Sequence, residues 1–480
     1  MILVKNIITQ IVVKMVEEIL NFFENTGISE IGHTAEEILT IMKENVLELL
    51  AAAIEEADLA ILDAKKERRI DGITVKQRNV SRTVSTFLGD LTYKRTYFKL
   101  KDGSMAYLTD QVIGIEPFER VTKELCASLV QSAATASMQK AADLSGASVS
   151  RQTVNNKIIS MKDVVTEMKR VDSTPSELHI FADEDHVHLR PKKSVMVPLV
   201  AVTEGIDTSN PKRHKTINPI YFQGYGMDNQ TFVDNVSAAV YERYDMEKVE
   251  KVYIHADGGK WIKALGDIMP NTIFVMDGFH LEKYIKKLLK LPGASAYAGV
   301  IRKALRNNDP KAFEKYCESI NEKQDKNGKK KLREIYKYFR NNWDSIINRV
   351  KNDCCGSCTE PLVSHILSER LSRNPLAWSK EGLGKMAMLR IYDKNGGKVS
   401  AKDIRISRSK TDRSKDYSNL KNGFETYNNY AEKHLKSTLA ERHNWDIFEN
   451  NNACNELTNG QVTGTSVLLN SYARINSLIS

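Results

Sequence analysis

The chain has few cysteines, no long uncharged apolar run and only a small excess of charge. Six cysteines among 480 residues are too few for a secreted disulfide scaffold, so we expect reduced thiols. The apolar N-terminal stretch is interrupted by Lys5, Lys14, Glu17 and Glu18. This predicts an amphipathic helix, and neither a signal peptide nor a membrane span. The net charge of +9 permits a nucleic-acid partner without establishing one.

The cysteines that stand closest together do not make a convincing metal site. Cys355 and Cys358 have the two-residue gap of a zinc knuckle, and His365 follows them. A second ligand pair with comparable spacing is missing from the sequence. We therefore favour small packing residues over a zinc site, and we expect a cytoplasmic protein.

Sequence patterns predict four regions. Residues 1–72 repeat apolar side chains every three or four positions, which predicts a helical region. This region is interpreted as an oligomerisation element, a DNA-end-binding element or a packed helical subdomain. Residues 73–172 predict a β-hairpin and a helix-turn-helix, and residues 173–395 predict a catalytic domain with a helical insertion at about 281–350. No role is predicted for residues 396–480.

Two segments of the second region have features of DNA-binding elements. The stretch from Arg82 to Leu100 is rich in Thr, Val, Tyr and Phe, with Gly89-Asp90 as the expected turn. Its second strand interleaves basic and aromatic residues, either as a nucleic-acid-binding face or as an ordinary solvated face. The basic candidates are Lys94, Arg95 and Lys99.

A helix-turn-helix is predicted between residues 137 and 161. Ala141, Ala142 and Leu144 belong to its first helix, Gly146 forms the turn, and Ser148 or Ser150 caps the second helix. Val154 and Ile158 form the apolar side of the second helix, which leaves polar side chains exposed for base edges in a major groove. These candidates are Arg151, Gln152, Asn155 and Asn156.

Residues 177–280 follow the order β-β-β-α-β-α-β. Three consecutive strands followed by alternation predict a ribonuclease-H-like α/β fold, in which an antiparallel meander joins a parallel half. The first and fourth strands of such a sheet are neighbours. Asp183 lies on the first strand and Asp257 ends the fourth, so we expect the two side chains to meet at one edge.

Acidic residues in the middle of a strand need a physical reason, because strands disfavour Asp and burial of charge is costly. Strand alternation places Asp183 and Asp185 on one face and Glu184 on the other. Carboxylates from neighbouring strands suit hard divalent cations, since Mg²⁺ prefers oxygen ligands and shares them with substrate phosphates. The pattern therefore predicts a magnesium site at the sheet edge.

A third acid is expected after the helical insertion. Glu360 stands in the first turn of an apolar-periodic helix, from which a carboxylate can point back at the sheet edge. Glu369 is the competing candidate, but it lies deeper in the helix beside Arg370. Pro361 is acceptable at this position because proline fits the first turn of a helix.

Four sequence blocks together resemble the ISLre-type insertion-sequence transposases of bacteria, an acidic-triad group distantly similar to the Mutator-like transposases. The blocks read "ADEDHVHL", "HADGG…WI", "DGFHLEKYI" and "TEPLVSHILSERLSRNPLAWS", and the resemblance covers about residues 75–395. It implies an Asp-Asp-Glu triad of Asp183, Asp257 and Glu360, because the family's first acid stands three residues before His186. Asp277 and His280 of the third block are implied to lie near the site, with Asp185 as a further neighbour.

The resemblance implies a DNA transposase that uses two Mg²⁺ ions, with Mn²⁺ as a substitute. Its expected partners are double-stranded DNA, namely terminal inverted repeats and target DNA, and a second copy of the chain in a dimer, with no membrane. The expected location is the bacterial cytoplasm, in association with the nucleoid. Arg370 and Arg373 are candidates for contact with the DNA backbone. Two alternatives stay open: a catalytically inactive DNA-binding derivative, and a ribonuclease-H-like nuclease that does not join strands.

Overall fold

The computed structural model describes residues 2–26, 31–191, 193–210, 215–257, 259–351, 358–373 and 377–405. The chain divides into two compact units. The first comprises Met1–Arg120 and Arg408–Ser480, of which the latter lie outside the described residues, and the second is Val121–Ser407. This division does not coincide with the predicted boundaries at 72/73 and 172/173. The hairpin groups with the N-terminal helices, and the helix-turn-helix groups with the large sheet.

The first unit combines helices with a small antiparallel sheet. Its elements are α1 Ile2–Thr26, α2 Ile31–Asp63, α3 Lys65–Ile70, β1 Thr74–Thr86, β2 Gly89–Lys99, β3 Met105–Ala106 and α4 Leu108–Val112. The predicted N-terminal helices and hairpin are confirmed. The predicted turn is wrong, because Gly89 and Asp90 already pair within β2 and the connection is Phe87-Leu88. Asp58 of α2 accepts hydrogen bonds from the backbone N–H and hydroxyl of Thr96 at 2.8 and 2.6 Å, which fixes the helix on the sheet.

The second unit is built around a five-stranded mixed sheet. Three helices come first: α5 Lys123–Thr135, α6 Met138–Asp143 and α7 Arg151–Ser160. The sheet contains five strands: β4 Glu177–Leu189, β5 Lys193–Thr203, β8 Ile220–Gln223, β9 Lys251–Ala256 and β10 Thr272–Met276. Between β5 and β8 the chain forms a separate two-stranded ribbon of β6 Ile206–Asp207 and β7 Lys215–Thr216. Helices α8 Asn229–Arg243 and α9 Lys260–Asp267 alternate with the later strands.

The sheet order is β10-β9-β4-β5-β8. Strand β4 runs parallel to β9, and β9 runs parallel to β10, whereas β5 is antiparallel to both of its neighbours. The predicted succession of strands and helices is thus confirmed. So is the predicted adjacency of the first and fourth strands.

The insertion after β10 is entirely helical, as predicted. It comprises α10 Gly278–Leu289, a 3-10 turn at Ser295–Tyr297, α11 Ala298–Arg306, α12 Pro310–Asn321, α13 Lys326–Asn341 and α14 Trp343–Lys351. Its own apolar core includes Leu288, Ile301 and Phe339. Helix α14 covers the edge strand β10, because Asn348 and Arg349 donate side-chain hydrogen bonds to the carbonyls of Phe274 and Met276 at 3.0 and 3.2 Å.

A broken helix follows the insertion. It consists of α15 Thr359–Val363, a π-helical turn at Ser364–Ser368 and α16 Glu369–Leu371, and the chain continues with α17 Lys380–Lys394 and a 3-10 turn at Ala401–Asp403. Arg390 of α17 has only 1% of its surface exposed. Its guanidinium donates to the carbonyls of His365 and Ile366 in the π-turn, at 2.7 and 2.8 Å. The π-turn is therefore held by a buried cation.

Strand alternation separates two apolar cores on the faces of the sheet. Even-numbered residues of β4, such as Ile180 and Ala182, pack in the core that contains residues of α8 and α9. Odd-numbered residues, such as Phe181 and Val187, pack in the core that contains residues of α5, α7 and α17. Within the described residues, no helix is long and apolar enough to cross a membrane.

Candidate active site

Asp183 and Asp257 lie just beyond the last paired residues of two parallel neighbours. The pairing of β4 with β9 ends at Phe181 and His255, and each Asp stands two residues further along its own chain segment. Burial is the main cause that raises the pKa of Asp183 to about 6. The charges of Asp257 and Asp277 contribute to this rise, whereas the backbone N–H of Glu184 and the charge of His280 oppose it. Asp257 and Asp277 are therefore close enough to Asp183 to interact with it electrostatically, and the predicted meeting of Asp183 with Asp257 stays a prediction.

Asp277 joins this acidic group from the start of α10. It follows β10, is 1% exposed, and its carboxylate caps α10 by accepting the backbone N–H groups of Phe279 and His280 at 3.0 and 3.1 Å. Burial would raise the pKa of Asp277, but hydrogen bonds from His280 and Thr359 outweigh it and hold the pKa below its usual value. Asp277 is thus a fixed anionic group beside Asp183.

His280 is the titratable cation that faces the acids. Its Nδ1 lies 3.3 Å from Oδ1 of Asp277. This close contact with the Asp277 carboxylate is the main cause that raises the pKa of His280, and the charges of Asp183 and Asp257 add to the rise against the effect of burial. Asp277 and His280 both interact electrostatically with Asp183, which agrees with the place near the site that the resemblance implies for them.

The carboxylates fit a divalent cation in kind, although not as a complete ligand set. Asp183 is half-buried where two further carboxylates repel its charge, and a bound cation would relieve that repulsion. The donor set is oxygen, which suits Mg²⁺. Within the part of the chain that the structure describes, no group of three or more His, Cys, Asp or Glu side chains is arranged to hold a metal ion. Asp183 and Asp257 are the residues that fit best.

The structure treats the two candidates for the third acid differently. Glu360 lies in the first turn of α15, as predicted, and its side chain is exposed. The preceding residue, Thr359, is buried and contributes to the lowered pKa of Asp277, which places the start of α15 near that carboxylate. Glu369 instead pairs with Arg390 at 2.7 Å. Glu360 therefore remains the better candidate, although it does not reach the Asp183–Asp257 pair in this structure.

The other two acids of β4 have structural partners on opposite faces. Asp185 is 8% exposed and accepts hydrogen bonds from the hydroxyl of Ser372 at 3.0 and 3.1 Å. Glu184 accepts a hydrogen bond of 2.7 Å from the indole of Trp261. Trp261 belongs to the core on the even-numbered face, which confirms that Glu184 points away from Asp183 and Asp185. The carboxylate of Asp185, two residues after Asp183 in the sequence, is thus engaged by the hydroxyl of Ser372.

The helix-turn-helix forms with the predicted cap and core. Ser150 caps α7 by accepting the N–H of Thr153, and Val154 and Ile158 are buried. Ala141 and Ala142 of the first helix are buried, whereas Leu144 directly follows that helix and has 71% of its surface exposed. Among the candidates for base contact, three are exposed and one is half-buried; the exposed ones are Arg151, Gln152 and Asn156, and the half-buried one is Asn155.

Two of the predicted DNA-binding arginines are buried, which corrects their assignment. Arg95 is 7% exposed, forms an ion pair with Asp110, and lies 3.5 Å from the centre of the Tyr107 ring. Arg370 is also 7% exposed and donates to the carbonyl of Ala133 at 2.8 Å. Neither guanidinium is free to contact DNA. Lys94 and Arg373 are exposed and remain candidates.

One residue near the acids was missed by sequence reasoning. Tyr338 of α13 stacks on Tyr284 of α10, with ring centres 3.5 Å apart. Burial raises the pKa of Tyr338, and the charges of Tyr284, Asp257 and Asp277 add to the rise. No motif marks Tyr338, because it approaches the site only through the folding of the insertion.

The cysteines of the zinc alternative lie only partly within the described residues. Cys354 and Cys355 lie outside the described residues, as do Gly258 and residues 406–480. Cys358 is half-buried and is not in a disulfide.

The pKa of Asp183 predicts a pH dependence of stability. A carboxyl group whose pKa is raised by folding contributes stability that is present below its ordinary pKa of 3.8 and is lost as pH rises through about 6. We expect the free energy of unfolding of the metal-free protein to fall over this window, by up to ~3 kcal/mol from this group. The raised pKa of His280 acts in the same direction near neutral pH.

Urea unfolding in EDTA between pH 4 and 7 measures this effect. Asp183→Asn should flatten the curve and be more stable than the wild-type chain at pH 7. Parallel curves for the two proteins would contradict the assigned environment of Asp183.

Comparison with known proteins shows one family. The model of an uncharacterised protein family, UPF0236, matches residues 26–407. Two UPF0236 proteins of Caldanaerobacter subterraneus subsp. tengcongensis are each 34% identical to this chain. One match spans 406 residues, which is 82% of this chain and 84% of the relative. The other spans 398 residues, or 81% and 83%. The name of the first relative joins eleven locus designations.

Proposed function

The chain belongs to the uncharacterised protein family UPF0236, and we propose that it is a DNA transposase related to the ISLre type. In this proposal it cleaves the ends of an insertion sequence and joins the freed 3′-hydroxyls to target DNA. The observation that carries the proposal is the group of Asp183, Asp257 and Asp277, where burial and like charge raise the pKa of Asp183 to about 6. Such a group is costly unless it serves a cation or a reaction.

The topology supports the same proposal. The sheet order β10-β9-β4-β5-β8, with an antiparallel meander on one side and parallel strands on the other, is the order expected of a ribonuclease-H-like core. Asp183 lies within the central strand β4, Asp257 directly follows its neighbour β9, and Asp277 directly follows the edge strand β10, where the helical insertion begins. Sheet order alone does not establish a function, so the acids remain the stronger support.

The first relative adds independent support. A name that joins eleven locus designations is expected of a protein encoded at many places in one genome. Repeated copies are expected when a gene travels with a mobile element. A core metabolic enzyme gives no reason for such repetition.

Each site residue has a stated task in the proposed reaction. Asp183 and Asp257 would hold divalent cations, with Glu360 as the third acid. When bound, Mg²⁺ or Mn²⁺ lowers the pKa of the attacking water or 3′-hydroxyl and stabilises the leaving oxygen. Asp277 fixes the start of α10 and orients His280, which can hold a proton next to the acids.

The proposal is tested with the full chain and a plasmid that carries its gene with both flanking sequences. We expect cleavage at defined positions on both sides of the gene, dependent on Mg²⁺ or Mn²⁺, followed by joining to a second DNA. Cleavage without joining would instead identify a nuclease. The exposed position of Glu360 favours a second candidate, a DNA-binding derivative without catalysis, for which DNA would be bound but never cut.

The helix-turn-helix should read the sequence of the DNA ends. We expect Arg151→Ala and Asn155→Ala to weaken binding to the flanking DNA more than to random DNA, by about 1–3 kcal/mol for a good base contact. Competition binding with the two DNAs measures the difference. Leu144→Ser is the matched control, because Leu144 is exposed on the same element and has no base-pairing groups. Equal losses on both DNAs would mean that α7 contacts only phosphates.

A further inference from the structure

The positive charge of the chain is concentrated in the helical insertion. Residues 278–351 contain 19 Lys and Arg against 8 Asp and Glu, a net charge of +11. The whole chain carries 70 against 61, or +9, so the remaining residues carry 51 against 53 and are slightly acidic. The insertion therefore accounts for the entire basic excess. A polyanion is the partner that such a local excess fits.

Part of this positive charge lies along one face of helix α10, which starts at the acidic site and extends away from it. The helix begins directly after Asp277, and its side toward the protein is formed by Leu281, Ile285 and Leu288. Its outer side is exposed and consists of Phe279, Lys283, Lys286, Lys287 and Lys290, which we call the α10 track.

The acid on the same helix as the α10 track, Glu282, interacts mainly with an arginine of another helix and only secondarily with Lys286. Glu282 is held by the guanidinium of Arg302 through two hydrogen bonds of 2.6 and 2.8 Å. Lys287 instead lies 4.4 Å from the centre of the Tyr284 ring, and Lys283 lies 5.9 Å from that of Phe279. Their ammonium groups remain available to an outside anion.

Phe279 stands at the end of the track next to the acids. It is 49% exposed, although its own N–H is fixed by Asp277. The ring faces solvent one residue from His280, with the two ring centres 5.5 Å apart. An aromatic face that is exposed at this point offers a stacking surface to an unpaired base.

Helix α13 extends the basic surface beside the track. It contains seven Lys and Arg and one acidic residue, Glu334, between Lys326 and Asn341. The stacked rings of Tyr284 and Tyr338 join α13 to α10 close to Asp257 and Asp277. The basic surface thus flanks the acidic group.

We propose that the α10 track binds the DNA strand adjacent to the scissile phosphate, with its lysines on successive phosphates and Phe279 stacked on an unpaired base. This inference rests on the proposed function, because only the proposed function identifies the bound strand as the one that is cut. It has a physical reason of its own, because a cluster of carboxylates repels DNA and needs a neighbouring cationic surface to hold it. Lys283 and Lys290 are about 10 Å apart along the helix, enough to span neighbouring phosphates.

The electrostatic part is tested by the salt dependence of binding in EDTA, with a fluorescent single-stranded oligonucleotide and a duplex as probes. Lys283→Gln/Lys287→Gln should reduce the slope of log K against log salt by about 1.4 for the single strand and weaken binding by roughly tenfold near physiological salt. The matched control is Lys311→Gln/Lys315→Gln on α12, where Glu314, Glu318 and Glu322 balance the charge. The control should change neither quantity.

The stacking part is tested by Phe279→Ala and Phe279→Trp. We expect the alanine variant to lose about 5- to 150-fold in affinity for the single strand, and tryptophan to restore it. The loss on duplex should be smaller, because paired bases are not free to stack. Thermal melts confirm that each variant is folded.

The outcomes separate the inference from the proposed function. If the track variants bind like the α12 control while the wild-type chain cleaves DNA, the inference is wrong and the transposase proposal stands. If the wild-type chain binds through the track but cuts no DNA with Mg²⁺ or Mn²⁺, the inference stands and the catalytic proposal fails. A loss in Phe279→Ala that Phe279→Trp does not repair would overturn the stacking role.

Discussion

Asp183→Asn is expected to abolish metal-dependent cleavage, with a loss of at least about a thousandfold, or ~4 kcal/mol of transition-state stabilisation. Asparagine keeps the volume of the side chain and one oxygen, but it lacks the charge that a divalent cation requires. The same substitution removes a half-buried carboxylate that Asp257 and Asp277 repel. The variant should therefore be inactive without being less stable.

Two measurements besides cleavage accompany this prediction. Binding to DNA in EDTA should be at least as strong as that of the wild-type chain, since Asp183 repels phosphate rather than binding it. Magnesium should raise the melting temperature of the wild-type chain and leave that of Asp183→Asn unchanged, because a ligand stabilises only the state that binds it. Asp257→Asn should behave in the same way.

Asp185 and Glu184 provide the matched controls on the same strand. Asp185→Asn keeps an acceptor for Ser372, and Glu184→Gln keeps an acceptor for Trp261. Both should retain cleavage and the magnesium shift. If Asp185→Asn loses the magnesium-induced rise in melting temperature and Asp183→Asn keeps it, the metal ligand is Asp185.

Glu360→Gln is expected to be as inactive as Asp183→Asn but otherwise unchanged, because its exposed side chain forms no ion pair among the described residues. Glu369→Gln should instead reduce folding stability and leave cleavage intact. It breaks the pair with Arg390, whose guanidinium is 1% exposed, and we expect a loss of about 1–3 kcal/mol of folding stability with cleavage retained per folded molecule.

Cleavage rates and urea unfolding of the two variants, measured side by side, decide between the acids. The Glu360 assignment fails if Glu360→Gln cuts normally and a folded Glu369→Gln does not. Activity of Glu360 also implies that its carboxylate moves toward Asp183 and Asp257 when cations and DNA bind. Among the described residues, no three such side chains are arranged together to hold a metal ion.

Much of the site follows from periodicity and element order. The alternation of β4 separates Asp183 from Glu184, and the succession of strands makes β9 the neighbour of β4, which brings Asp257 close. Both inferences use local rules that tertiary packing did not override. The identification of Asp277 and His280 required the resemblance, since nothing in their spacing points to β9.

The failures have a common physical origin. Arg95 and Arg370 look like ordinary basic residues in sequence, and their burial depends on distant partners, Asp110 and the carbonyl of Ala133. Tyr338 comes near the acids only because α13 packs on α10. Composition does not report such long-range contacts. A charge count by segment, however, would have revealed the basic insertion from sequence alone.

The cover over β10 limits how this protein can be shortened. An uncovered edge strand presents unpaired N–H and C=O groups to which a strand of another molecule can add. Asn348 and Arg349 hydrogen-bond the carbonyls of Phe274 and Met276 on that edge. The insertion therefore protects the edge strand β10 from pairing with a strand of another molecule. A minimal catalytic fragment made by deleting it would be prone to aggregate, even if every acid remained in place.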